Sequence, residues 1–115
     1  MIIKTFEEVI AWQKARTLYV DLYEQLKQTK DYFYRDQLLR ATLSISNNIA
    51  EGFDRGSARE LRQFLIIARG SAAEVRSMLI IAEDLQLLSD ASQQECSLLV
   101  KDILKLLTGF IKSIK

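Results

Sequence analysis

No proline occurs anywhere in the 115-residue sequence, and only four residues are glycine. Proline and glycine are the residues that most weaken a helix interior, so their scarcity favours long, uninterrupted helices. Apolar residues also recur at steps of three and four, the spacing that places side chains on one face of an α-helix. The sequence therefore predicts an all-α protein.

Four segments carry this apolar spacing, and short polar stretches separate them. Capping boxes, in which a Ser or Thr precedes a Glu by three residues, start at Thr5 and Ser57, and Ser89 is a favourable N-cap. Because the connections are short, neighbouring helices are predicted to be antiparallel, giving an up-down-up-down four-helix bundle that forms a single domain over residues 1–115. Helix 1 is predicted to run from Thr5 until the pattern fades at 28–31, helix 2 from about Tyr34 to about Gly52, helix 3 from about Ala58 to about Leu87, and helix 4 from Ser89 onwards.

Each helix has a predicted core side, formed by its most regularly spaced apolar residues. A chain of this length can bury one hydrophobic core, and its 49% apolar and 27% charged residues are ordinary for a globular domain. The predicted core residues are Trp12, Ala15, Tyr19, Leu22 and Leu26 on helix 1; Leu38, Ala41, Ile45 and Ile49 on helix 2; Leu61, Leu65, Ala68, Ala72, Val75, Leu79 and Ala82 on helix 3; and Leu99, Ile103, Leu106, Phe110 and Ile114 on helix 4.

Arginine is concentrated in one part of the chain, since positions 35–76 contain seven Arg and no Lys. Three of them, Arg62, Arg69 and Arg76, recur every seven residues and therefore lie on one side of helix 3. No acidic residue stands three or four positions from any of the three, so their partners must come from another helix, another subunit or an anionic ligand. The arginine fork suits pairing with phosphate. The candidate nucleic-acid-binding residues are Arg55, Arg59, Arg62, Arg69 and Arg76.

Helix 3 also carries apolar and small residues outside its predicted core side. A contiguous exposed patch of this kind is typical of an interface between subunits, whereas scattered surface residues would need no partner. Gly70, in mid-helix, costs about 1 kcal/mol relative to alanine, which favours the close approach of another helix. The sequence therefore predicts a homo-oligomer. The candidate interface residues are Ile66, Gly70, Ala73, Ser77 and Ile80.

Most catalytic and cofactor-binding arrangements are absent from the sequence. It contains no His, no glycine-rich phosphate-binding loop and a single cysteine, Cys96, which excludes histidine-based nucleophile pairs and metal sites. A carboxylate metal site at Glu51, Asp54 or Glu60 is conceivable, but Glu51 and Arg55 stand four residues apart, as a helical ion pair does. We therefore expect no enzymatic activity, no metal and no cofactor.

Neither a signal peptide nor a membrane-spanning segment is recognisable in the sequence. The lone cysteine cannot form an internal disulfide, which favours a reducing cytoplasm. Lys101, Lys105, Lys112 and Lys115 lie beside the apolar side of helix 4, an arrangement that fits a solvated helix face better than a membrane-surface helix. We therefore expect a cytoplasmic protein that does not bind membranes.

Several polar or aromatic residues have predicted structural roles. Asn47 and Asn48 are poor helix formers inside helix 2, so their amides are expected to bridge helices or to bond backbone carbonyls near the helix end. Trp12 lies on the core side of helix 1 and is expected to be a core residue. The residues with predicted structural roles are Trp12, Asn47, Asn48, Glu51 and Gly52.

Four segments carry motifs that run in order over nearly the whole chain: VIAWQKA at 9–15, DQL at 36–38, SISNNIAEG at 44–52 and FLIIARGS at 64–71. Together they resemble the 23S rRNA intervening-sequence protein family, a group of small bacterial four-helix-bundle proteins. That family is similar to the accessory protein of diversity-generating retroelements, a strongly basic pentameric barrel that works with a reverse transcriptase and nucleic acid. The resemblance implies a four-helix bundle, a ring-shaped pentamer and a role with RNA or DNA, whereas the present chain has a net charge of +1.

The sequence leaves two functions open. In the first, the protein is a non-catalytic nucleic-acid-binding or ribonucleoprotein accessory module, and the arginines of helix 3 contact phosphates. In the second, it is a structural or protein-interaction scaffold, and the arginines pair across the subunit interface with carboxylates such as Glu60 or Glu74. The first function predicts salt-sensitive binding, and the second predicts that removing the arginines dissociates the oligomer.

Overall fold

The computed structural model of the protein describes residues 3–114, and within them the chain is all α. A short 3₁₀ turn, Phe6–Glu8, precedes four α-helices, and no strand occurs in the described range. The predicted all-α class with four helices is therefore confirmed. The helices are α1 (Ile10–Gln25), α2 (Tyr32–Asp54), α3 (Ala58–Asp84) and α4 (Asp90–Ser113).

Side-chain N-caps begin three of the helices. Ser57 and Ser89 cap α3 and α4 as predicted, because each hydroxyl accepts a hydrogen bond at 3.2 Å from the backbone N–H three residues further on. Asp31 caps α2 in the same way, so α2 begins at Tyr32, two residues before its predicted start. Each cap satisfies a backbone N–H that has no partner within the first turn of its helix.

The capping box predicted at Thr5 is present, but it begins a 3₁₀ turn, so the predicted start of helix 1 is wrong. The Glu8 carboxylate accepts hydrogen bonds from the backbone N–H groups of Lys4 and Thr5, at 2.7 and 3.1 Å, and these bonds lower the pKa of Glu8. They close only the 3₁₀ turn, because Val9 has an extended backbone (φ −77°, ψ 120°) that interrupts the helix. The first α-helix therefore begins at Ile10.

Two residues with positive φ shape the connections on either side of α3. Gln86 has a φ of 54°, so α3 ends at Asp84 rather than near Leu87, and the Leu87 N–H donates back to the Ala82 carbonyl at 3.0 Å. Gly56 has a φ of 83° in the turn between α2 and α3. A side chain at that position would strain the backbone, which explains the glycine.

Each helix packs against two others: α1 and α3 both contact α2 and α4. The molecule is elongated, with extents of 43 × 20 × 19 Å. Between α2 and α3, the Tyr34 hydroxyl donates to the Met78 carbonyl at 2.6 Å, and the hydroxyls of Ser44 and Ser71 lie 3.0 Å apart. Residues later in α2 therefore lie beside residues earlier in α3.

Near the turn between them, α2 and α3 approach closely at Gly52. A Cβ atom built at this position would lie 2.8 Å from the Cβ of Phe64 and 3.2 Å from the Cδ1 of Leu61. The first distance is shorter than packed carbon atoms allow, so a side chain would force the two helices apart. Gly52 is thus required by the packing of α2 on α3.

The predicted core residues of helices 2 and 3 are all buried, and that prediction is confirmed. On α1 the outcome is mixed, because Trp12 and Tyr19 are only half-buried, while Ala11 and Leu18, one position earlier, are fully buried. Trp12 instead packs against the edge of the core and meets Phe6 edge to face, with ring centroids 5.0 Å apart. The expectation of Trp12 as a core residue is therefore wrong in part.

The side of helix 4 that faces the core differs from the predicted side by a rotation of about one residue. Only Ile103 among the predicted residues is buried, since Leu99, Phe110 and Ile114 are half-buried and Leu106 is exposed. Apolar residues occupy adjacent positions along this helix, so two neighbouring sides fit the helical period equally well. The observed rotation lets Gln93 Nε2 donate to the Leu79 carbonyl of α3 at 2.9 Å. The buried residues of α4 are Gln93, Cys96, Val100, Ile103, Leu107 and Ile111.

Candidate nucleic-acid interface

Arg62, Arg69 and Arg76 lie on one side of α3, because this helix is continuous over their whole range. Arg62 and Arg76 are exposed, and Arg69 is half-buried. At 1.5 Å of rise per residue, successive members stand about 10 Å apart along the helix axis. In the described part of the chain, the cations in ion pairs are Lys14, Lys27, Arg35 and Arg55. None of the three helix-3 arginines is therefore neutralised within residues 3–114.

Lysines of α4 extend this positive surface. Arg76 and Lys101 line the same cleft of about 460 Å³ between α3 and α4, and the acidic residue among those that line it is Glu83. Lys105 and Lys112 border a shallower depression further along α4. We refer to the combined surface as the basic face, formed by Arg62, Arg69, Arg76, Lys101, Lys105 and Lys112.

The lysines of the basic face were not among the candidate binding residues predicted from the sequence. Lys101, Lys105 and Lys112 are separated by four and seven positions, which places them on one side of α4. That spacing is visible in the sequence, but the side of α4 that meets α3 is not. The lysines join the arginines because α3 and α4 pack together with Arg76 and Lys101 at one cleft.

The other two candidate arginines have different surroundings. Arg55 forms an ion pair with Glu51, with Nη2 2.9 Å from Oε1, and its guanidinium lies 5.0 Å from the centroid of the Phe64 ring. Arg59 is exposed and has no ion pair among the described residues. Arg55 is thus occupied at the turn between α2 and α3, whereas Arg59 remains open in the first turn of α3.

The basic face gathers positive charge from two helices on one surface. A single exposed charge pair contributes little in water, about 1 kcal/mol at 4 Å separation. Several cations on two packed helices, however, sum to a local potential that attracts polyanions. Contacts to phosphates also release condensed counterions, which makes such binding favourable and salt-dependent. The arrangement can therefore hold a nucleic-acid backbone without reading its bases.

The candidate interface residues all lie on exposed positions of α3. Ile66 is 36% exposed and Ile80 is 56% exposed, and Ala73 and Ser77 lie beside them on the same part of the helix. A Cβ atom at Gly70 would have no atom within 4 Å, so no helix of this chain approaches it closely. Any helix that requires a glycine there must come from another molecule.

The adjacent asparagines of α2 differ in their surroundings. The Asn48 amide donates from Nδ2 to the Ser44 carbonyl at 2.7 Å and to the Ser44 hydroxyl at 3.0 Å. That hydroxyl lies 3.0 Å from the Ser71 hydroxyl of α3, so a polar network links the two helices. Asn47 is exposed, and its side chain makes no hydrogen bond to the described residues.

Cys96 is buried among apolar residues of α4. Burial, together with the nearby charges of Asp21 and Glu95, raises the pKa of the thiol to about 12. The thiolate is the reactive form of cysteine, so this thiol stays protonated and inert at neutral pH. Within residues 3–114, no three acidic or cysteine side chains group together as metal ligands.

The comparison with known families covers nearly the whole chain. The model of the 23S rRNA-intervening sequence protein family matches residues 7–109. The chain belongs to this family. The predicted resemblance to 23S rRNA-intervening sequence proteins is thus confirmed, and the matched range includes all four motif segments that carried it. No curated protein matches the chain.

This member of the 23S rRNA-intervening sequence protein family has helices of moderate hydropathy. No helix within the described residues is both long and apolar enough to cross a lipid bilayer. The longest, α3, alternates its buried apolar side with arginines and glutamates.

Proposed function

We propose that this 23S rRNA-intervening sequence protein is a non-catalytic accessory protein that binds RNA or DNA through the basic face. The observation that carries the proposal is the absence of carboxylate partners, within residues 3–114, for Arg62, Arg69, Arg76 and Lys101. Cations held on a rigid helix without local partners favour charge-assisted hydrogen bonds to phosphate oxygens. Because phosphates carry no sequence information, binding is expected to depend weakly on base sequence.

The proposed architecture behind this surface is an antiparallel up-down-up-down four-helix bundle. The contacts support it, because α1 and α3 each pack against α2 and α4. The opposite order of the Tyr34–Met78 and Ser44–Ser71 contacts supports antiparallel packing of α2 and α3. The connections between the α-helices are short, as in up-down bundles.

The proposed functional unit is a cytoplasmic homo-oligomer, a pentamer by analogy with the ring implied by the family resemblance. Exposed Ile66 and Ile80, with the unobstructed Gly70 between them, support a subunit contact on α3. A ring would repeat the basic face around its axis. Repetition turns a modest charge per subunit into a strong combined attraction for one long polyanion.

A protein-interaction scaffold is the second candidate function. The observation that favours it is that the exposed residues Ile66 and Ile80 stand beside the same arginines. A partner subunit seated there would bring its carboxylates, such as Glu60 or Glu74, against Arg69 and Arg76. The arginines would then be neutralised in the oligomer, and nucleic acid would have no role.

A fluorescence-anisotropy titration distinguishes the two functions. Nuclease-treated protein is titrated into labelled structured RNA and into duplex DNA, at low salt and at near-physiological salt. Phosphate binding predicts tight association at low salt that weakens steeply as salt rises. The absence of binding to both probes at low salt would contradict the nucleic-acid proposal and would favour the scaffold.

A further inference from the structure

A second cleft, remote from the basic face, lies between α1 and α2 and has a volume of about 570 Å³. That volume is within the range of sites that hold small organic ligands. Its lining combines aromatic rings with cations, unlike the cleft between α3 and α4. We refer to it as the tyrosine groove, formed by Tyr19, Tyr23, Lys27, Arg35 and Arg40.

The aromatic part of the groove is a pair of rings one helical turn apart. Tyr19 and Tyr23 stack with centroids 6.3 Å apart and an interplanar angle of 29°. Tyr19 is half-buried, whereas 49% of Tyr23 is exposed. Tyr19 is therefore the more covered of the two rings, and it stacks against Tyr23. Tyr19 precedes Tyr23 by one turn and Lys27 follows it by one turn, so an unpaired base can stack on the Tyr23 ring when the exposed Lys27 side chain moves aside.

Cations surround these rings. Lys27 Nζ lies over the Tyr23 ring, 5.6 Å from its centroid, and forms an ion pair with Glu24 Oε2 at 3.2 Å. Arg35 pairs with Asp36 at 3.0 Å, and Arg40 has no ion pair among the described residues. Asp36 is the acidic residue among those that line the groove, so its lining is positive overall. A ligand suited to the groove has a flat aromatic part and a negative part a few ångströms away.

We propose that the tyrosine groove binds a nucleotide, with its base stacked on Tyr23 in place of the Lys27 side chain and its phosphate near Arg40. An unpaired nucleotide within a strand and a free nucleotide share this chemistry. A paired base does not, because its faces are covered within the duplex. The groove thus adds a preference for unpaired strands to the sequence-independent backbone contacts proposed for the basic face, and it stands on different residues.

The test compares Tyr23→Leu with the matched control Tyr23→Phe. Tyr23 is exposed, and leucine is a good helix former, so both variants are expected to fold. The probes are a fluorescein-labelled oligouridine of about twelve nucleotides, which spans a typical single-strand site, and the RNA duplex of the same length. Uridine monophosphate serves as an unlabelled competitor, and light scattering gives the mass of each variant.

Loss of the stacked ring is expected to weaken strand binding by Tyr23→Leu about fivefold or more. Tyr23→Phe, which keeps the ring, is expected to bind the strand as the wild type does, and duplex binding is expected to stay unchanged in both. Competition by uridine monophosphate would show that a free nucleotide is enough to fill the groove. Its absence would assign the groove to nucleotides within a strand.

Equal strand affinity of Tyr23→Leu and the wild type would overturn the proposal, as would a wild type that binds neither strand nor mononucleotide. A lower mass for Tyr23→Leu would also overturn it, by assigning the groove to contacts between copies of this chain. The basic face fails by a different result, namely duplex binding that is unaffected when Arg62, Arg69 and Arg76 are changed to Gln. The two proposals therefore fail separately.

Discussion

Arg76 on α3 and Lys101 on α4 line one cleft, and neither is paired with a carboxylate within the described residues. The two residues are far apart in sequence and meet only because α3 and α4 pack together. Their closeness raises the local positive potential, which an anion lowers on binding. The pairing of these two helices thus converts two separate cationic stripes into one surface.

Replacing Gly52 by alanine is expected to destabilise the fold. The new Cβ would lie 2.8 Å from Phe64 Cβ, and relief of that overlap costs about 1–3 kcal/mol. The gain in helix propensity, about 1 kcal/mol, offsets only part of this cost. Urea denaturation should show a lower midpoint for Gly52→Ala. The control is Gly109→Ala, where a Cβ meets no atom within 4 Å and stability should rise.

Replacing Gly70 by alanine tests the proposed subunit contact. Within the single chain a Cβ at Gly70 meets no atom within 4 Å, so helicity should be kept or increased. If a helix of another subunit packs there, the added methyl group should weaken assembly. Light scattering should then report a lower mass for Gly70→Ala and an unchanged mass for Gly109→Ala. An unchanged mass for both variants would remove Gly70 from the interface.

Tyr34→Phe removes the hydrogen bond to the Met78 carbonyl, which joins α2 to α3 at 2.6 Å. We expect a loss of about 0.5–1.5 kcal/mol in the free energy of unfolding at neutral pH. Tyr32→Phe is the matched control, because Tyr32 is exposed and its ring still stacks with Arg35. Equal stability of the two variants would contradict a structural role for this bond.

The same tyrosine predicts a pH dependence. Burial, and then the charge of Asp31, raises the pKa of Tyr34 above its ordinary value of 10.0. The unfolded chain therefore loses this proton first, so the stabilisation is complete below the ordinary value and is lost as pH rises through the raised pKa. Urea midpoints measured across this range should fall more for the wild type than for Tyr34→Phe. If the urea midpoints of the two proteins changed equally with pH, the raised pKa of Tyr34 would be contradicted.

The fold was most predictable where one side of a helix is apolar and the others are polar. On α3, charged residues stand on both sides of Leu61 and of Val75, so these positions fix one rotation, and the whole predicted core of that helix is correct. On α4, Leu99 and Val100 are neighbours, as are Leu106 and Leu107, so spacing cannot choose between two sides. The observed side is the one on which Gln93 bonds to α3, and spacing along α4 does not reveal this tertiary contact.

The candidate sites were predictable only in part, for the same reason. The spacing of Arg62, Arg69 and Arg76 places them on one side of α3 from sequence alone. Their association with Lys101 depends on how α3 and α4 pack, which spacing does not give. Tyr19 fits the core pattern of helix 1, so its stacking with Tyr23 was hidden until the rotation of α1 was known.

The most direct measurement compares how salt weakens duplex binding by two variants from which the same charge has been removed. One variant combines Arg62→Gln, Arg69→Gln and Arg76→Gln. The other combines Lys4→Gln, Arg16→Gln and Lys30→Gln, which lie off the basic face. The slope of log affinity against log salt should flatten in the first by about 0.7–0.9 for each phosphate that the variant no longer binds, and hardly change in the second. Equal changes in the two slopes would contradict binding through the basic face.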